Sequence, residues 1–449
     1  MVLPDLKRLQ LSADLVSFSS ELPALIEVGG TSDALTSESE MTLQKGIDCG
    51  KIVDIDVGSS EFKRNARRIV AEWAQSPPFY VLSEGHVEVV VGRYADVSEV
   101  FKDTARFSSE LPKGHGFEKF DKFMGVQTLA QTDGEPHSRI RKLLSPAFSA
   151  RSLARLEGRI TSVVDQMLDR IERKGNDFDG MADYGAMIIV GALLDAMLNL
   201  NADQKNVFLA LHEVLPLTTY AKAGEAYPAE CVAAFARARD MVARIIDERR
   251  ANPGDDFISE LIAARDDGDK LNDEELFNQT FTVCGAALSA TSRAMGGVLY
   301  TLYSHAEQLE ILKKEPGLIP IAIEECLRYA AGGYFTFARV ATCDTELGGT
   351  IIERGMIVRP SPQAANLDPS VYPDPLRFDV RRNPRRILAF GAGAHHCIGN
   401  VLGRIAIAIA VGRLLARFPE ARLANRDFVP LYGGAVGELR IRELPMLIR

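Results

Sequence analysis

Paired cysteines are missing from this sequence. Its six, Cys49, Cys231, Cys284, Cys326, Cys343 and Cys397, show no regular spacing and no Cys-x-x-Cys unit, which excludes a disulfide framework or a zinc site and fits a reducing cytosol. A basic surplus is missing too. Lys and Arg number 52 against 61 Asp and Glu, a formal net charge of -9, which excludes a nucleic-acid binder held by a basic field. Repeats and low-complexity tracts are absent. Met1 to Leu11 carries Asp5, Lys7 and Arg8 and lacks the apolar core of a signal peptide or anchor. Only residues 281–303 form a long, largely apolar run, and Arg293 near its middle argues against a membrane span. The expectation is a cytoplasmic protein without membrane contact.

What is present is ordinary in bulk: 46% hydrophobic and 25% charged residues describe a globular protein. Residues 1–75 read as an N-terminal extension and arm, with the polar stretch 31–46 as a linker, and residues 76–449 read as one domain. Alternation at Val87, Val89 and Val91 predicts a strand, and Gly92 to Phe101 a turn and short helix. Helical spacing predicts helices over 138–145, 151–173, 181–198, 203–213, 227–250, 257–265, 273–303, 305–314, 318–330 and 398–417. Strand signals return in Arg339 to Ile352 and around Glu438 to Ile448. The fold class is therefore mainly α with a small β subdomain.

One cysteine stands in a patterned loop, Phe390-Gly391-Ala392-Gly393-Ala394-His395-His396-Cys397-Ile398-Gly399, just before an apolar helix closed by Pro419. A helix N-terminus gathers partial positive charge and unpaired N–H groups, so a cysteine there is expected as the thiolate, the metal-binding form. The loop resembles the haem-ligand loop of the cytochrome P-450 family, Phe-Gly-x-Gly-x-His/Arg-x-Cys-x-Gly, with every fixed position filled. That resemblance covers about residue 76 to the end. It implies the fold of that family, with haem b between a long distal helix and the helix after the loop. Cys397 would be the iron ligand, and Phe390, Gly391, His395 and Gly399 would contact the cofactor.

Glu325 and Arg328 form Glu-x-x-Arg, three apart on one helix face. Followed by Pro373-Asp374-Pro375-Leu376-Arg377-Phe378, the pair resembles the buried ion-pair network beneath the haem pocket, a structural role. His137 and Arg141 lie four apart on a starting helix and can face one ligand edge. With Arg339 and His395 they occupy positions that contact the two haem propionates in similar proteins, where cations satisfy carboxylates.

The long helix begins with a capping box, Asn272 and Glu275. Its middle departs from the family. Similar proteins carry Ala/Gly-Gly-x-Asp/Glu-Thr here, the acid and alcohol organising water and relaying protons. Counted back from His305, those positions fall on Ser289 and Ala290; a register shifted to align Gly285 gives Ala287 and Leu288. Thr291 is the nearest hydroxyl. A hydroxyl or carboxylate of the substrate could complete the relay, hydrogen peroxide could be the oxidant, or the reaction could need no ordinary dioxygen cleavage. Arg293, a turn beyond the acid position, is not where peroxide-using relatives place an arginine.

Ala286, Ala287, Phe335 and Phe337 are the pocket candidates, with loops 107–126 and 215–227 as entrance. Lys142, Arg385, Arg386 and Arg404 could form a basic face behind Cys397 for an acidic ferredoxin. No nucleotide loop or fused reductase signature is present, so a separate ferredoxin reductase using NAD(P)H is implied. The resemblance implies a haem-thiolate monooxygenase inserting one oxygen atom into an apolar small molecule, terpenoid, steroid or polyketide-like. A peroxide-using or non-hydroxylating member (coupling, dehydration, rearrangement) and a catalytically silent haem sensor are the alternatives.

Overall fold

The protein is described from a computed structural model covering residues 52–53, 56–83, 86–110, 128–214, 227–330, 332–335, 338–433 and 437–449, with side chains at 52, 53, 83, 86, 189, 190, 192 and 285–289 left undescribed. Long helices dominate it. Ala150–Lys174, Ala202–Val214, Ala229–Ala251, Asp273–Ser304 and Asn400–Arg417 pack around one core, where Ile160, Val164, Phe208, Val242, Ile245, Val298, Leu299, Ala410 and Leu414 are buried. Each large apolar side chain so buried contributes roughly 1.5–3 kcal/mol. The helical spacing read from the sequence falls within a few residues of these bounds.

The predicted capping box forms: Asn272 Oδ1 accepts from the Glu275 N–H at 2.9 Å and the Asn272 N–H donates to Glu275 Oε2 at 2.8 Å. It starts a helix of 32 residues. The predicted helix 181–198 is instead a short α-helix, Ala186–Val190, flanked by wider π-helical turns, Gly180–Gly185 and Gly191–Met197. Close packing sets this course, since a Cβ at Gly191 would lie 2.1 Å from Val163 Cγ1. Gly180–Met197, rather than 281–303, is the stretch among the described residues long and apolar enough to cross a membrane, and 67% of it is buried inside the fold. Its apolarity is that of a core helix.

The β part is a six-stranded sheet ordered Ile52–Val53, Phe79–Ser83, His86–Val91, Ile357–Pro360, Arg339–Ala341, Phe107–Ser108. The predicted strand at Val87 to Val91 sits at its centre, antiparallel to Phe79–Ser83 and parallel to Ile357–Pro360. Smaller pairs lie at Thr345–Leu347 with Thr350–Ile352 and at the C-terminus. Ser60–Trp73, inside the stretch read as an arm, is a helix. Ser59 caps it, accepting the Phe62 N–H at 3.0 Å, and Phe62, Ala66, Val70 and Trp73 face Phe79, Tyr334 and Leu367. Its period of three and four was legible; its partners, far along the chain, were not.

Candidate active site

The loop before Asn400–Arg417 is folded by its own backbone. The Cys397 N–H donates to the Phe390 carbonyl at 2.9 Å, the His396 N–H to Gly393 at 3.1 Å, and the Gly391 N–H to Leu388 at 2.9 Å. Gly393 has φ +68°, and a Cβ on it would lie 2.4 Å from the Phe101 carbonyl oxygen, so glycine is required for the loop to seat against helix Tyr94–Lys102. Arg141 Nη2 reaches in from helix Gly134–Leu144 to the His396 carbonyl at 2.6 Å, and Asn400 Nδ2 bonds the Cys397 carbonyl at 2.8 Å. Arg404 lies over the Phe390 ring, 4.3 Å from its centroid.

Cys397 is exposed, whereas Cys284 and Cys326 are completely buried. Burial alone pushes the Cys284 thiol up to about 12, which makes it an inert packing group. Burial by surrounding protein also raises the Cys397 thiol, against the downward pull of the Gly399 N–H, Arg141 and Arg404. A bound metal cation would add to that downward pull and favour the thiolate. Beside it Ile398, Leu402 and Ile405 are only half-buried, so the cysteine and an apolar helix start share one accessible surface.

The predicted cations gather near this surface. The rings of His137 and His395 are 4.3 Å apart, and Arg141 is held at the residue before Cys397 by its bond to the His396 carbonyl. His137 is buried and its Nε2 has no partner among the described residues; burial first, then His395 and Arg141, push it down to about 4. Arg339 is buried; burial lowers its pKa and the Asp133 carboxylate works against that shift. His395 Nε2 lies 2.7 Å from Asp133 Oδ1 and 3.0 Å from Ser109 Oγ. Asp133 also accepts from Ser108 Oγ at 2.7 Å and the Ser109 N–H at 2.6 Å. An acid organising this corner was not foreseen, although it opens the motif that carries His137 and Arg141.

Beneath the loop the Glu325–Arg328 pair is wholly buried and bidentate, at 2.6 and 2.8 Å. Arg328 also donates to the carbonyls of Asn366 at 3.0 Å and Pro375 at 2.9 Å, and Arg382 reaches Glu325 Oε1 at 3.1 Å. The third charge is Arg382, which sequence spacing did not reveal. Asn366 Oδ1 takes the Leu388 N–H at 2.7 Å and so ties the network to the loop that carries the cysteine.

On the long helix Ala290 is exposed and Thr291 half-buried, while Ser292 is buried with its hydroxyl unpartnered among the described residues. Ser289, Ala286, Ala287 and Phe337 lie outside the described side chains. Phe335 is placed in packing: its ring stacks on Trp73 at 5.6 Å beneath helix Ser60–Trp73. Arg293 is paired with Glu438. Arg404 is engaged by Glu324, Nη2 to Oε2 at 3.1 Å, so of the cations named for a partner face it is the neutralised one; Lys142, Arg385 and Arg386 are exposed.

Comparison with known proteins decides the family. The family model described as Cytochrome P450 matches residues 61–316 and 317–427. The chain belongs to the cytochrome P450 family. Nocardicin C N-oxygenase of Nocardia uniformis subsp. tsuyamanensis is 34% identical over 342 residues, 75% of this chain and 83% of that protein. A steroid C26-monooxygenase of Mycobacterium tuberculosis is 32% identical over 301 residues, 67% and 80% of the two chains. The structure of the bacillaene polyketide synthase cytochrome P450 PksS of Bacillus subtilis 168 superposes with a TM-score of 0.79 at 26% identity, covering 88% of this chain and 99% of that one. This cytochrome P450 is therefore an oxygenase with the P450 fold and a haem cofactor. The match begins at residue 61, so it takes in the helix that the sequence reading had assigned to the arm.

The residues present fit such a group. A flat apolar cofactor would cover the half-buried Ile398, Leu402 and Ile405 and the exposed Cys397, and its carboxylates would satisfy the orphaned His137 nitrogen.

Proposed function

We propose that this cytochrome P450 inserts one oxygen atom from dioxygen into an apolar small molecule of terpenoid, steroid or polyketide-like type. Electrons would come from a ferredoxin and a separate NAD(P)H-dependent reductase. The observation that carries this reading is the exposed Cys397 beside an apolar helix start. Cys397 would hold the iron of haem b, and His137, Arg141, Arg339 and His395 would face its propionates. Bound there, a thiolate-ligated haem supplies dioxygen activation. Phe390, Gly391 and Gly399 would set the loop against the cofactor. Residues 76–449 form the catalytic domain in this reading.

The chain's own proton handling is sparse. Ala290 has no group that moves a proton, which supports delivery assisted by the substrate's own hydroxyl or carboxylate, with Ser289 or Thr291 holding a water. That same sparseness favours, as a second reading, a non-hydroxylating reaction. The engagement of Arg293 by Glu438 weighs against a peroxide-dependent arginine.

The carbon monoxide difference spectrum of the reduced protein tests the core of the proposal. A thiolate-type spectrum that disappears in Cys397→Ser is expected; a histidine-type spectrum, or one unchanged by the substitution, would overturn it. Product formation with ferredoxin, reductase and NAD(P)H, compared with peroxide alone, separates monooxygenase from peroxygenase. Tight ligand binding without product under either supply would favour the sensor.

A further inference from the structure

Helix Gly134–Leu144 begins at Asp133, yet Asp133 does not cap it. An aspartate in this place ordinarily turns its carboxylate onto the first free N–H groups of its own helix. Asp256 does so for helix Phe257–Ala263, accepting the Ser259 N–H at 2.9 Å. The Asp133 carboxylate is turned the other way. Oδ2 takes the Ser108 hydroxyl and the Ser109 N–H, where the edge strand Phe107–Ser108 ends, and Oδ1 takes Nε2 of His395, two residues before Cys397. The Asp133 N–H in turn donates to Glu110 Oε1 at 3.1 Å.

Local helix chemistry gives no reason for this, since it leaves the first turn of the helix without a side-chain cap. What it gains is the orientation of one ring. Asp133 Oδ1 and Ser109 Oγ both lie on Nε2 of His395, at 2.7 and 3.0 Å, while Nδ1 makes no hydrogen bond among the described residues. Two bonds on one nitrogen exclude a Ser-His-Asp relay, which needs the serine and the acid on opposite nitrogens. They fix instead which edge of the ring is held and which is left unbonded. The His395 side chain is only 7% exposed, and its ring stands 4.3 Å from that of His137, whose Nε2 is also unpartnered among the described residues. Two imidazoles, each with an unused nitrogen, therefore share one corner.

We propose that Asp133 is a positioning residue for the cofactor: by anchoring Nε2 of His395 to the end of strand Phe107–Ser108 it presents Nδ1 to a haem propionate, and so governs how firmly haem is retained. The assignment rests on the reading that His395 faces a propionate. With a carboxylate on each edge the ring donates from both nitrogens, and both bonds are charge-assisted. Asp133 does not itself touch the cofactor; it acts through His395, and the helix gives up its cap for that.

The rate of haem transfer from the loaded protein to excess apomyoglobin, read together with the propionate bending bands of the resonance Raman spectrum, tests it. Asp133→Asn and His395→Phe are each expected to speed haem loss about tenfold, the scale of one charge-assisted hydrogen bond, and to shift the propionate bands alike. In the double variant haem loss should be within about twofold of that in His395→Phe alone, because the acid acts through the ring. Asp133→Ser should lose haem as fast as Asp133→Asn; serine still caps a helix, so that loss does not come from the helix start. Asp133 substitutions that leave haem loss unchanged while His395→Phe speeds it, or effects that add in full in the double variant, overturn the positioning role and leave the His395 reading standing. A His395→Phe variant with unchanged haem loss and unchanged bands overturns the propionate reading, and the role of Asp133 with it.

Discussion

The two faces of the site are built by opposite rules. On the cysteine side the Glu325–Arg328–Arg382 network, the Asn366 tie and the loop's own backbone bonds join the buried charges to one another and to the backbone, while His137 Nε2, Asn366 Nδ2 and the Tyr372 hydroxyl lack partners among the described residues. On the long-helix side Ala290 is bare, and the Ser292 hydroxyl and His212 Nδ1 lack partners among the described residues. The lesson is that the loop bearing Cys397 rests on a buried network of mutually bonded charges, whereas the described part of the long-helix face carries no comparable network. Stability should therefore concentrate on one face and selectivity on the other.

The largest expected effect tests the first half of that contrast. Arg328→Ala leaves Glu325 charged or protonated in a fully buried site and should cost about 3–5 kcal/mol, read as a large drop in thermal midpoint. A loss below about 1 kcal/mol would break the contrast. Next comes the pH response of the distal face. His212 is held at about 4 when folded against an ordinary 6.5, so the unfolded chain takes up its proton first on acidification. Its contribution is intact above pH 6.5 and fades as pH falls towards about 4, on the order of 2–3 kcal/mol in denaturant unfolding. His212→Gln should flatten the slope; an unchanged slope would remove His212 as its source.

Gly393→Ala, strained by its φ and crowded by the Phe101 carbonyl, should cost about 1–3 kcal/mol and lower haem content. The smallest stability change is expected for Ala290→Thr, within about 1 kcal/mol, because the position is an exposed helical one. Its effect should instead appear in coupling, as a changed ratio of product to NAD(P)H consumed. If removing the substrate's hydroxyl or carboxylate left that ratio unmoved, substrate-assisted delivery would fail.

Much of the fold was legible because helices are local. Val164, Leu168 and Ile171, or Ile407, Ala410, Val411 and Leu414, repeat at intervals set by the helix itself, so periodicity placed those elements to within a few residues. The capping box was legible for the same reason: both halves lie within one turn. Phe335 shows the limit. An aromatic on a strand reads equally as pocket or packing, and its stacking on Trp73, more than two hundred residues earlier in the chain, is visible only in the tertiary structure.

The sequence by itself determined the family of the site, because the cysteine loop and the Glu-x-x-Arg pair are short patterns whose chemistry depends on neighbours in the chain. It also shows no Asp/Glu-Thr pair in either register read for the distal helix, Ser289–Ala290 or Ala287–Leu288. Only the tertiary structure decided that Arg382 completes the buried pair, that Asp133 organises the cation corner, and that Arg293 pairs with Glu438. Each of these joins residues dozens to hundreds of positions apart. Electrostatic interaction falls with distance in space and with exposure to water, neither of which is written in chain spacing.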